Sequence, residues 1–316
     1  KKISDIEITP AQLALDPCSA SAVITDVNTG EVRALVTYPS YDNNKFSGTV
    51  DAEYYNKLNN DQSLPLFNNA TQAQKAPGST FKPIIAVAAL EEGVIGLNDT
   101  VNCTGIYKEI TPALRCWIYP GQHGPLDVVH GIQNSCNVFF SEMGHRLSMD
   151  ENGNYSPELG IEKIRKYASM FGLDETSGIE IAEREPQMTT EKPEASSIGQ
   201  GKNSYSNIQL SRYITAVANK GTVFKLSLLD KMTDSQGNLL KDFTPEVRST
   251  IDVKDSTWNA VHTGMRRVIS DGSARKIFSD LEVDIAGKTG TAEEIKNGHR
   301  VNHAFFVSFA PCQNPE

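Results

Sequence analysis

Apolar and polar positions alternate near both ends of the chain and follow a helical period between them. Residues 21–37 hold two β-branched runs either side of Asn28-Thr29-Gly30, which predicts a hairpin. Alternation returns over Leu281–Ala286 and His303–Ala310, with residues 292–302 predicted as the loop between two strands. The 3.6-residue period predicts helices near Val128–Leu147, Glu162–Phe171, Ile208–Asn219 and Ser256–Ile269. Residues 39–75 are rich in Asn, Asp, Ser, Pro and Tyr and read as surface loop, with one short helix near Ala52–Leu58. Strands at both ends and helices between them predict an α+β fold whose terminal strands share one antiparallel sheet flanked by helices.

A further helix is predicted from Ser79 to Glu92, stopped by Gly93. Pro83 fixes its start. A helix tolerates proline only in its first turn, where the backbone N–H has no intrahelical partner. Ser79 therefore belongs at the helix N-terminus.

Composition narrows the class. With 316 residues, 39% of them hydrophobic, the chain can bury a sizeable core. Its net charge of −9 argues against a nucleic-acid binder. The longest apolar run, Ile84–Leu90, is far too short to span a membrane. The chain starts Lys1-Lys2-Ile3 and reads as an excerpt of a longer protein. Its five cysteines match no zinc or Cys-x-x-Cys spacing, and the six histidines include no His-Glu-x-x-His, so no metal site is expected. Cys103 and Cys116 flank a short loop; a disulfide in an oxidising compartment and two buried free thiols are both open readings.

Three motifs carry the chemistry. Ser79-Thr80-Phe81-Lys82 places a hydroxyl and an amine three residues apart, on one helix face. A serine needs a base to become a nucleophile, and burial makes a lysine neutral enough to serve. The pattern alone is cheap, since Ser273-Ala274-Arg275-Lys276 repeats it. Ser135-Cys136-Asn137 follows. Ser135 suits a proton relay, and Asn137 can hold both Lys82 and a substrate amide. Cys136 is expected to point elsewhere. Last comes Lys288-Thr289-Gly290-Thr291. Lys288 and Thr289 suit a substrate carboxylate, and Lys288 is the second cation that would lower the pKa of Lys82. Gly290 lets a ligand lie against the strand, and the Thr291 and Ser79 N–H groups would pair as an oxyanion hole. A P-loop is excluded, because Glu282 stands where its first glycine belongs. Together the motifs describe acyl transfer through a serine ester.

These residues resemble the penicillin-recognising serine enzymes, and more closely the transpeptidase domain of class B penicillin-binding proteins. The resemblance runs over most of residues 20–312. It includes Pro65-Leu66-Phe67-Asn68-Asn69-Ala70 before the first motif and Arg115-Cys116-Trp117 with His123-Gly124 before the second. Ser197-Ile198-Gly199-Gln200-Gly201 and Gly287-Lys288-Thr289-Gly290-Thr291-Ala292-Glu293 also fit. It implies a β-lactamase/transpeptidase-like fold, with a helical subdomain inserted between the terminal strands. It implies a D,D-transpeptidase that needs no cofactor and cross-links stem peptides ending in D-Ala-D-Ala, with covalent capture of β-lactams by Ser79. A D,D-carboxypeptidase and a non-catalytic β-lactam sensor share much of this pattern. A β-lactamase would need a dedicated deacylation base, and no glutamate is assigned to that task. The resemblance further implies an extracytoplasmic location at the bacterial membrane and a membrane glycan polymerase as partner. Residues 1–20 then read as a linker from a pedestal and anchor, and 21–316 as the transpeptidase domain. Three departures from the family pattern stand out: the usual membrane anchor and pedestal are not in this sequence, a short segment, Thr9–Asp16, replaces a long helix, and a further strand and helix would be expected after Ala310.

Overall fold

The computed structural model describes residues 19–296 and 299–316. The expected segment Thr9–Asp16 lies outside them. The amino-terminal hairpin pairs β1 (Ala20–Thr25) with β2 (Val32–Tyr38), antiparallel, with a register shift at Ile24/Thr25. Asp26 closes its turn by accepting from the Asn28 and Thr29 N–H groups. The polar stretch that follows is mostly irregular but holds α1 (Ala52–Asn59), capped by Asp51.

Helix α2 (Lys82–Glu91) is the centre of the helical layer; every residue from Lys82 to Leu90 is buried. A helix apolar on all sides belongs inside a core. Short ladders pair β3 (Val101–Cys103) with β6 (Gly124–Leu126), and β4 (Ile106–Tyr107) with β5 (Leu114–Arg115). The stretch expected as one helix over 128–147 is two: α3 (Val128–Gln133) and α4 (Asn137–Leu147). The break is Asn134–Cys136, where Ser135 has φ 50°, a conformation no helix accommodates.

Helix α5 (Pro157–Met170) begins earlier than expected because Ser156 caps it by accepting from the Leu159 N–H. The short α6 (Pro193–Ser196) leads to α7 (Asn207–Ala218), every residue of which from Ile208 onward is buried. Three more short strands and one longer one follow as two ladders: β7 (Thr222–Lys225) with β10 (Glu246–Thr250), and β8 (Lys231–Thr233) with β9 (Leu239–Asp242). Helix α8 (Asp255–Ser270) packs on α2, α3 and the final hairpin, and α9 (Arg275–Phe278) leads into that hairpin.

The final hairpin, β11 (Ala286–Lys296) with β12 (His299–Phe309), differs from expectation. Leu281–Ile285 is irregular, and most of the loop expected at 292–302 is strand; its remaining two residues, 297 and 298, lie outside the described residues. This ribbon carries polar residues on both faces, so it lacks the alternation that marks a half-buried strand. The two terminal hairpins both pack on α7, at β1 and β12. Among the described residues they share no hydrogen-bonded ladder. A groove of about 280 Å³ is lined by residues of both hairpins, Val23–Thr25 and Ser308–Ala310, and by Ile214 and Thr215 of α7. The α+β class and the helical layer inserted between terminal strands are as expected.

Candidate active site

Ser79 sits in a 3₁₀ turn, Gly78–Phe81, that runs directly into α2. The turn is wedged between β11 and the loop at Gly199, whose carbonyl accepts from the Gly78 N–H at 2.9 Å. Gly78 is left-handed, with φ 55°, and a Cβ there would stand 2.4 Å from the Thr291 carbonyl oxygen. Gly290 permits the same approach from the strand: its Cβ would lie 2.7 Å from Thr80 Cγ2. Glycine at these two positions brings Ser79 against Thr291. Buried contacts hold the turn from behind. Thr80 Oγ1 donates to the Pro77 carbonyl at 2.7 Å, and Tyr213 Oη donates to the Thr80 carbonyl at 3.0 Å. The Phe81 ring stacks on Tyr205.

Lys82 is the first residue of α2 and is completely buried. Its Nζ donates to the Ser135 carbonyl at 2.7 Å and to Asn137 Oδ1 at 2.8 Å, and lies 3.3 Å from Ser135 Oγ. The strained φ of Ser135 lets its carbonyl and its hydroxyl both face this amine. Asn137 opens α4 and bridges two walls, since its Nδ2 donates to the Arg115 carbonyl at 3.3 Å.

Lys288 lies on β11 opposite Val307 and is also fully buried. Its Nζ donates to Ser135 Oγ at 2.8 Å and to the Thr289 carbonyl at 2.9 Å. Ser135 Oγ is therefore shared by two buried amines. Burial lowers the Lys82 pKa to about 8, with the neighbouring Cys136 and Cys116 sulfurs pulling the other way. Lys288 falls well below the ordinary lysine value, first through burial and then through repulsion by Lys82. Two ammonium groups do not coexist comfortably here, so one amine is readily neutral and able to take a proton.

The amines lie behind the wall of a cleft of about 520 Å³. Ser79, Ser135, Asn137, Thr289, Gly290 and Thr291 all line it. Six of the eight residues singled out by the motifs thus line the cleft, with the Lys82 and Lys288 amines behind them on Ser135. Lys288 does not reach the cleft surface; its amine is engaged with Ser135 and Thr289, leaving Thr289 as the polar side chain that faces a ligand there. Sequence reasoning gave no role to Ser273, which also lines the cleft, with its Oγ 3.2 Å from Thr289 Oγ1. Its Ser-x-x-Lys repeat fails as a second centre because Lys276 is exposed. Gln200 Nε2 donates to the Thr291 carbonyl at 3.2 Å, orienting the peptide unit that follows Thr291. Glu293 is the one carboxylate among the described lining residues.

All four described cysteines, Cys103, Cys116, Cys136 and Cys312, are free thiols. Cys136 caps α4 by accepting from the Phe139 N–H through Sγ. Behind the Ser135–Asn137 turn, Cys103, Cys116, His123 and Cys136 converge as a group able to hold a metal ion. Cys-x-x-Cys spacing is absent, so pattern reading passed them over.

This arrangement has the groups that serine acyl transfer served by lysine rather than histidine would need. Residues 20–316 match the family model of the penicillin binding protein transpeptidase domain, and the chain belongs to that family. It is 31% identical over 328 residues to peptidoglycan D,D-transpeptidase MrdA of Escherichia coli K12, covering 94% of this chain and 50% of that protein. The fold is similar to that of Pseudomonas aeruginosa PBP2 in complex with WCK 5153, with a TM-score of 0.80 and 28% identity over 97% of this chain and 69% of that one. A chain from a peptidoglycan synthase complex that coordinates polymerization and crosslinking aligns with a TM-score of 0.82 and 26% identity, over 93% of this chain and 50% of its own length. The chain spans about half the length of the curated relatives it matches.

Proposed function

We propose that this chain carries the D,D-transpeptidase activity of a peptidoglycan-cross-linking protein. The observation that supports it best is Ser135 Oγ held between two buried lysine amines at the wall of the cleft that Ser79 lines. Ser79 Oγ attacks the carbonyl carbon between the two D-Ala residues of a stem peptide, and its proton passes to Lys82 Nζ. The Ser79 and Thr291 N–H groups stabilise the oxyanion; losing one such donor typically costs ~2.7–4 kcal/mol. Ser135, hydrogen-bonded to Lys288, relays the proton to the departing nitrogen, and D-Ala leaves. An acceptor amine then attacks the ester, a new amide forms, and the proton returns to Ser79. Thr289 receives the terminal carboxylate, and Gly290 leaves the strand edge clear for the peptide backbone.

A β-lactam enters the same path and stops at the ester. The matched relatives' names and the synthase complex support stem peptides as substrate and a membrane glycan polymerase as partner. We further propose that the protein is anchored to the membrane through a segment outside the described residues, placing the cleft on the extracytoplasmic side. No helix among the described residues is long and apolar enough to cross a membrane.

The test is incubation with a synthetic pentapeptide ending in D-Ala-D-Ala and an amine acceptor, read by mass spectrometry. The proposal expects D-Ala release with an acceptor-linked product. Release with only hydrolysed tetrapeptide would make the chain a carboxypeptidase, and Ser79 acylation without release of either product would make it a sensor.

A further inference from the structure

The pleat of β11 sorts its residues between the protein and the cleft. Lys288 and Ala292 are buried, and Gly290 is pressed against Thr80, so the even-numbered positions face inward. Thr289, Thr291 and Glu293 alternate with them and line the cleft. They form a row whose members stand about 7 Å apart along the strand. Thr289 and Thr291 are neutral. Glu293 is exposed to solvent and brings the one carboxylate among the described lining residues. Arg115 is the other charged residue of this lining; it comes from β5, and its guanidinium lies over the Tyr119 ring at 4.8 Å.

The proposed chemistry gives this row a direction. With the terminal carboxylate at Thr289 and the scissile carbonyl at the Thr291 N–H, the rest of the donor runs along β11 toward Glu293. An extended peptide advances about 3.4 Å per residue, so the residue before D-Ala-D-Ala lies between the levels of Thr291 and Glu293. A side chain of three or four carbons on that residue reaches the carboxylate. Cross-linking consumes a side-chain amine of an acceptor stem, and a donor built from the same repeating unit carries that amine too. An ammonium group beside Glu293 is attracted, and a carboxylate there is repelled.

We propose that Glu293 is a specificity residue, selecting donors and β-lactams that carry a cation on the side of the reacting carbonyl away from Thr289 over those that carry an anion there. The donor it fits is a stem peptide whose residue before D-Ala-D-Ala bears a free side-chain amine. Glu293 takes no part in bond making; it acts by charge on what enters the cleft. The inference rests on the acyl-transfer reading and extends it to the charge of the substrate. An exposed ion pair strengthens binding by up to about fivefold, and the matching repulsion weakens it by a similar factor. An ammonium and a carboxylate at one ligand position should therefore differ by about tenfold in acylation rate at low salt, and by less as salt screens them.

Three penicillins differ at a single carbon of the acylamino side chain. Ampicillin carries an ammonium there, benzylpenicillin a hydrogen and carbenicillin a carboxylate. Their second-order rates of acylation, read by intact mass, are divided by their rates of alkaline hydrolysis to remove differences in intrinsic reactivity. Ampicillin should exceed carbenicillin by about tenfold, with benzylpenicillin between them. Glu293→Gln should bring that ratio to within about twofold of unity, and Glu293→Lys should reverse it. The chain's net charge of −9 also disfavours an anion, but Glu293→Gln alters that total by one unit only, so collapse of the ratio assigns the effect to this position. In competition with benzylpenicillin, Nα-acetyl-Lys-D-Ala-D-Ala should slow wild-type acylation at a lower concentration than its Nε-acetyl derivative. A ratio that survives Glu293→Gln, or equal competition by the two peptides, would overturn the inference while Ser79 acylation stands. Failure of all three penicillins to acylate Ser79 would remove the acyl-transfer reading and this inference with it. Should the variants fail to fold, the two-peptide competition on the wild-type protein decides alone.

Discussion

In the proposed mechanism the protonation state of Lys82 decides whether Ser79 can react, and its pH dependence can be worked out from its setting. Burial lowers its pKa from 10.5 to about 8, which corresponds to about 3 kcal/mol against the ammonium form. At pH 7 about one amine in ten is then neutral, against about one in three thousand for an ordinary lysine. The cavity thus supplies about 300-fold more base at neutral pH. Because the neutral form is the active one, the rate must rise with pH and then level off. We predict that acylation by a fluorescent penicillin, followed by stopped flow, increases about tenfold per pH unit below pH 7 and flattens above about pH 8. Lys82→Met should reduce the rate by about 10²–10⁴-fold and abolish the rise. A wild-type rate that is flat from pH 6 to 9, or a Lys82→Met variant that still acylates quickly, would refute the base assignment.

Other consequences are equally open to measurement. Gly78→Ala puts a methyl 2.4 Å from the Thr291 carbonyl oxygen and should push β11 from the turn, cutting acylation far more than it lowers the melting temperature. Tyr213→Phe leaves the buried Thr80 carbonyl without its 3.0 Å donor and should cost about 1–3 kcal/mol in urea unfolding. Lys276→Ala removes the exposed lysine of the second Ser-x-x-Lys and should leave acylation unchanged, since that side chain lies in solvent and does not line the cleft.

What the sequence disclosed depended on how local each feature is. Helices α7 and α8 lay within about a residue of their expected limits because their apolar faces repeat without interruption. The break between α3 and α4 escaped notice because Ser135 adopts a left-handed φ that tertiary contacts impose and no residue type announces. The long β11–β12 ribbon was underestimated because its polar residues read as loop. The candidate site was legible as three motifs, each within a few residues. That Lys82 and Lys288 converge on a single hydroxyl emerged only when α2, the relay turn and β11 were packed together. The convergence of Cys103, Cys116, His123 and Cys136 behind the turn was hidden for the same reason, since they come from separate segments with no familiar spacing.

The central claim is that Ser79 is the nucleophile. Intact-protein mass after incubation with a penicillin, followed over hours and mapped by peptide digestion, tests it most directly. The account predicts one stable adduct on Ser79, absent from Ser79→Ala of unchanged melting temperature. An adduct that persists in Ser79→Ala, or one that maps elsewhere, would contradict it.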